Sequence, residues 1–140
     1  MRANKRTTVI LCLLVSATFL GCPIPTEKDE RLEGEWDGNL LIYDPPPATL
    51  VRYTRITVVN GILTLWVPGE EPISGEYFVD RDYSPDLIDW HTPDGVIRGY
   101  YSVSHAFSPE AELFFWFNDP RDPRPINTQF AKYDFYGDYD

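Results

Sequence analysis

Four carboxylates crowd one short stretch of this chain: Asp80, Asp82, Asp86 and Asp89 surround Tyr83-Ser84-Pro85. Two carboxyl groups facing each other across roughly 5–9 Å can cleave a glycosidic bond, one as acid and the other as base or nucleophile. Carboxylates also ligate calcium, but the glycine at position six and the glutamate at position twelve of an EF-hand loop do not fall in place here. Asp is equally the ordinary residue of solvated turns, and that is the reading adopted for this cluster. His91 and His105 are the two histidines, and no His-x-x-His or His-x-His spacing sets both on one metal. Ser102, Ser104 and His105 form no triad by spacing, and Gly-x-Ser-x-Gly is absent. Asp119 and Asp122, among Pro120, Arg121 and Pro123, read as a rigid turn with local ion pairs. No catalytic residue, metal ligand or cofactor is therefore assigned. The remaining enzymatic alternative is a carboxylate-based hydrolase centred on residues 80–89.

The clearest chemistry belongs to Cys22. Arg2, Lys5 and Arg6 form a basic start, residues 7–20 are uncharged and mostly apolar, and Gly21 precedes the cysteine. That order is a secretory signal, and the apolar run is shorter than the ~20 residues a membrane span needs. Leu20-Gly21-Cys22 resembles the lipobox of bacterial lipoproteins, with Phe19 standing where leucine is usual. The resemblance implies cleavage after Gly21 and acylation of Cys22, which makes the lipid bilayer a partner. Cys12 is lost with the signal, so Cys22 is the one thiol of the mature chain, and neither an intrachain disulfide nor a Cys-based zinc site can form. One acyl chain holds a protein marginally, whereas two or three anchor it stably. By resemblance to the common sorting pattern, Pro23 after the cysteine, rather than Asp, favours the outer membrane over the inner.

Charge narrows the partners further. The signal carries three of the twelve basic residues and none of the 22 acidic ones, leaving a mature formal charge of −13. Such a chain is repelled by nucleic acid and by anionic headgroups, which excludes nucleic-acid binding.

Positioning elements are read from punctuation. Residues 23–31 are polar and proline-interrupted, so 22–31 is expected to be a tether. Beyond it, β-branched and aromatic runs at 36–43, 53–59, 62–67, 73–79, 86–90, 96–103, 113–117 and 126–133 alternate with Pro, Gly, Asp and Asn. Asn60-Gly61 between two of these runs is a strong hairpin signal, because both turn residues tolerate positive φ. Ile73, Gly75, Tyr77 and Val79 alternate with Ser74, Glu76 and Phe78, as in a half-buried strand. Leu113-Phe114-Phe115-Trp116-Phe117 is apolar throughout, so an open sheet edge there would aggregate, and closure into a barrel is preferred. The expected fold is all-β: a small antiparallel eight-stranded barrel over 32–133, with 134–140 as an acidic, aromatic tail that frays.

Leu32-Glu33-Gly34-Glu35-Trp36 at the first strand resembles the opening of a lipocalin. Further landmarks are Gly75-Glu76-Tyr77, Pro85-Asp86-Leu87-Ile88-Asp89, Gly99-Tyr100-Tyr101 and Arg124-Pro125. Together, in order, they resemble the short lipocalin-like domains of uncharacterised activity in planctomycetal exported proteins. That resemblance implies a fold, with Gly34, Trp36 and Arg124 closing the barrel and Arg124 stacked across Trp36, and it implies no activity.

The 21 aromatic residues fill a small barrel by default, but Tyr43, Tyr83, Trp90 and Tyr100 are candidate contacts to a ligand or partner. The expected function is a non-catalytic binding or interaction role in the cell envelope, toward an envelope protein or a small apolar ligand. A carrier would show an apolar cavity of ~300 Å³ or more. A barrel packed with its own aromatics would instead suit an interaction module.

Overall fold

The structure, a computed structural model, describes residues 24–43 and 50–140; Cys22 and the signal lie outside the described residues. Eight antiparallel strands pair in sequence order: β1 (Gly34–Ile42), β2 (Leu50–Val59), β3 (Ile62–Trp66), β4 (Ile73–Asp80), β5 (Asp86–Thr92), β6 (Gly95–Ser104), β7 (Glu112–Phe117) and β8 (Tyr133–Tyr139). β8 returns to pair with β1, so the sheet closes into a barrel and no strand edge is left open.

Local chemistry explains most of these elements. Asn60 and Gly61 have φ of 51° and 79°, the paired left-handed conformation that a two-residue turn needs to match strand twist. On β4, Tyr77 and Val79 are buried while Ser74 and Glu76 are exposed. On β7, Leu113, Phe115 and Phe117 face the core. The outward rings of Phe114 and Trp116 stack 5.8 Å apart, and Phe114 also packs on Tyr136 of β8 at 4.8 Å. This outer cover answers the need of an apolar strand for shelter on both faces.

Two boundaries depart from expectation. The last strand is β8, not 126–133: Ile126 and Phe130 are 84% and 67% exposed in a loop that ends in a 3₁₀ turn, Thr128–Phe130, capped by Asn127. Residues 134–140, expected to fray, complete the barrel instead. The core side of β8 carries Tyr133, Phe135 and Gly137, while Asp138 is exposed to water and Asp134 lies half-buried beside Tyr43 on the outer face, so acidity does not prevent pairing here.

The tether also ends sooner than expected, because the packed domain starts before Leu32. Glu27 exchanges two backbone hydrogen bonds with Val79, at 3.1 and 2.7 Å, and Asp29 caps a 3₁₀ turn at Glu30–Leu32. The segment packs because Leu32, 1% exposed, plugs the barrel and Asp29 meets polar partners inside it.

The barrel therefore has two unlike ends. The N-terminal segment, the 60–61 turn and loops 81–85 and 105–111 gather at a closed end, while loops 67–72 and 93–94 lie at an open end with the start of the 118–132 connection. Between them, Trp36, Tyr77, Trp90, Tyr101, Phe115 and Phe135 are each essentially unexposed.

Candidate functional site

At the open end the packing stops short. A ring ladder climbs the interior: Trp90 meets Phe115 edge-on at 6.3 Å, Phe115 stacks on Phe117 at 4.3 Å, and Phe117 stacks on Tyr133 at 5.0 Å. Above that ladder lies a cup of about 210 Å³, to which every strand but β5 contributes a wall. Leu40, Leu65, Val67, Ile73, Ile97 and Phe117 make its apolar lining. Among the described residues the barrel is thus filled by its aromatics at mid-height and hollow in its top layer.

The rim is charged and internally braced. Arg52 reaches from β2 to donate to Glu70 Oε1 at 3.2 Å and to the Pro68 carbonyl at 3.3 Å. Across the cup, Asp119 accepts from Tyr133 Oη at 2.5 Å and from Lys132 Nζ at 2.7 Å. Burial pushes the Tyr133 phenol up to about 12, helped by its bond to Asp119, so it stays a proton donor. Burial would raise the Asp119 carboxyl, but the bonds from Lys132 and Tyr133 outweigh it and leave the group below its ordinary value. The cup can hold an apolar group between a fixed acceptor and a fixed cation.

A second polar constellation sits at the closed end. The Asp29 side chain has no exposed surface; it accepts from Arg31 Nη2 at 2.6 Å and Tyr101 Oη at 2.8 Å. Tyr77 Oη bonds the Asp29 backbone in both senses, and Arg31 also reaches Asp86 at 3.1 Å. Burial pulls the Asp29 carboxyl upward, but Arg31 and Tyr101 more than offset it and the net shift is downward. Burial dominates at Asp86, whose carboxyl is raised despite Arg31. Asp29 and Asp86 both find their partners within the chain, so the constellation reads as a structural lock.

The residues singled out from sequence are dispersed. Gly34 has φ of 128°, and a Cβ there would lie 2.5 Å from the Tyr139 ring. Trp36 is buried at the closed end, donates from Nε1 to the Leu32 carbonyl at 2.9 Å and meets Tyr139 edge-on. Arg124 does not stack on Trp36. It lies on the outer face of β5 and β6, donating to the Ile88 and Gly99 carbonyls at 3.0 and 2.6 Å and to Asp89 at 2.6 Å. The reason is topological: the 118–132 connection leaves β7 at the open end and runs down the outside, so its arginine straps the barrel wall.

Of the four candidate contact aromatics, Trp90 is corrected, because it has no surface to offer a partner. Trp90 is wholly buried and donates to the Leu63 carbonyl at 3.1 Å. Tyr100 braces the same strap, its hydroxyl donating to the Pro125 carbonyl at 2.7 Å. Tyr43 follows β1, its amide bonding Lys132 and its ring near Asp134, and Tyr83 is half-buried in the 81–85 loop; neither lines the cup. The carboxylates of residues 80–89 diverge: Asp86 turns to Arg31, Asp89 to Arg124, and Asp80 accepts from the Asp82 amide at 3.0 Å.

Arg124→Ala is expected to cost about 2–3 kcal/mol, since it strips a charge-assisted bond and two carbonyl acceptors from a partly buried site. Arg124→Lys should recover little, because one ammonium cannot reproduce the fork. Thermal melts of both variants check this; a wild-type melt for Arg124→Ala would show that the strap needs no clamp.

Neither the cup nor the Asp29 plug was anticipated. Asp29, three residues before buried Leu32, carried a helix-cap signal that the surrounding prolines and charges masked. The cup has no local signature, because its walls come from across the whole barrel. In comparisons with known proteins the chain matches no family model, no curated protein and no solved structure.

Proposed function

We propose that this is a lipid-anchored protein of the bacterial cell envelope whose barrel binds without catalysing, and that its cup seats one ring-sized apolar group, as an anchor side chain of a partner protein does. The observation that carries this reading is the size of the cup. Its 210 Å³ falls below the roughly 300–1,000 Å³ of ordinary ligand pockets, yet exceeds the ~150 Å³ that accepts benzene in a protein core. The cup is too small for a lipid or pigment, so a carrier role at this site narrows to small apolar molecules. An interaction module needs only one such socket, because a few buried aromatic anchors dominate most interfaces. The satisfied and diverging carboxylates argue against the hydrolase alternative.

Indole is the probe for the cup. Titrated into the protein, it should shift the NMR signals of Ile97, Val67 and Phe117 together. Val67→Trp, which fills the cup from its lip, should abolish those shifts while leaving the melting temperature within about 4 °C, or ~1 kcal/mol, of wild type. Shifts scattered over the outer surface, or none, would remove the cup as the binding site.

A further inference from the structure

We infer that the closed end of the barrel rests on a zwitterionic lipid surface and that the cup faces away from it. The inference rests on the lipid-anchor reading of Cys22 and adds an orientation to it. Glu27 is pinned to Val79 by two backbone hydrogen bonds and Pro25 is buried, so the chain from this pin back to Cys22 is only five residue steps. Fully extended, these span at most ~18 Å. Val79 sits beside Asp80 at the closed end of β4, and the anchor therefore leaves from that end. The open end lies the length of β4 away, roughly 26 Å along the strand and ~20 Å along the axis once tilt is included.

A short tether brings the closed end close to the bilayer, and that end displays apolar side chains of its own. Loop 105–111 holds Phe107 78% exposed, with φ of 64°, two residues after His105 at φ of 52°. Left-handed backbone is costly for a bulky side chain, and here it presents an aromatic ring outward. Ile24, 63% exposed, lies in the segment that leads to the anchor. Beside Phe107 opens a groove of about 530 Å³ with Trp36, Pro109, Ala111 and Tyr139 in its walls. The mature charge of −13 opposes an anionic surface and tolerates a zwitterionic one. Phe107 is thus a second, weak insertion point next to the acyl anchor.

The test uses the full-length acylated protein in phosphatidylcholine vesicles. Acylation occupies Cys22, so Ala106→Cys at the closed end and Glu71→Cys at the cup each supply a unique labelling site. Energy transfer from the label to an acceptor on lipid headgroups should be several-fold stronger from position 106 than from position 71. Phe107→Ser in the Ala106→Cys background should reduce that transfer; an unchanged value overturns the Phe107 contact. Equal or reversed transfer from the two ends in protein that floats with vesicles overturns the orientation and leaves the anchor standing. Protein that does not float overturns both.

Discussion

Asp29→Asn is expected to destabilise the barrel by about 3–5 kcal/mol, the usual consequence of removing one partner from a buried, hydrogen-bonded ion pair. Its carboxylate has no exposed surface and is shared between Arg31 and the buried Tyr101. With the charge gone, Arg31 keeps only Asp86, and Tyr101 Oη, in the core, faces an amide that need not present its oxygen. At roughly 4 °C or more per kcal/mol for a domain of this size, the melting temperature should drop by at least ~12 °C. The N-terminal segment should detach first, because Asp29 is its deepest polar contact. Amide exchange at Val79, whose N–H bonds Glu27, reports that detachment separately from global unfolding. A variant that melts within ~2 °C of wild type would show that the plug is decoration.

The same residue sets part of the acid limb. Asp29 and Asp119 have folded values below the ordinary 3.8, so each adds stability that is complete above that value and lost as pH falls through the lowered one. Asp86 and Asp134 are raised by burial and act in the opposite sense, their share being lost as pH rises through the raised values. Unfolding of the wild type should thus steepen below about pH 3.8, and Asp29→Asn should flatten that limb. An unchanged limb would place the acid sensitivity elsewhere.

Deleting residues 134–140 is expected to abolish folding. β8 pairs with β1 on one side and β7 on the other, and its loss removes Phe135 from the core. It also strips the outer cover of Phe114 provided by Tyr136 and opens β7, apolar from Leu113 to Phe117, as a bare edge. A marginal stability of ~5–15 kcal/mol does not survive losing one strand of a closed barrel. The truncated chain should show no cooperative melt and should aggregate; a soluble, cooperatively melting product would mean that the seven remaining strands close without β8. Removing Asp140 alone, one residue past the strand, should cost only about 1 kcal/mol, because it forfeits one backbone bond to Glu35 and an exposed ion pair with Arg55.

The seven strands found where their runs predicted them share one property: each is bounded by residues with a backbone preference of their own, such as Asn60-Gly61 and Pro68-Gly69. β8 was misjudged because Asp134 and Asp138 lie within it and Asp140 follows it, although Tyr133, Phe135, Gly137 and Tyr139 keep a period of two. Composition reports the water-facing side of a strand as loudly as the core-facing one. Arg124 was recognised as a structural residue and assigned the wrong partner, since which wall a fifteen-residue connection follows depends on the barrel it wraps. Trp90 was misassigned because inward and outward positions differ by one residue, and only the register decides between them, whereas Tyr100 does face outward.

The amino-acid sequence by itself determined the all-β class, the hairpin turn, the closure that an apolar β7 demands and the acidic character of the chain. These follow from interactions between near neighbours, or from charge, which needs no geometry. The tertiary structure alone decided that Asp29 is a buried lock rather than tether, that the carboxylates of residues 80–89 diverge, and that the core fills to mid-height and leaves a 210 Å³ cup. Each of these is set by how side chains from distant strands share one enclosed volume, and packing of that kind has no local pattern in the chain.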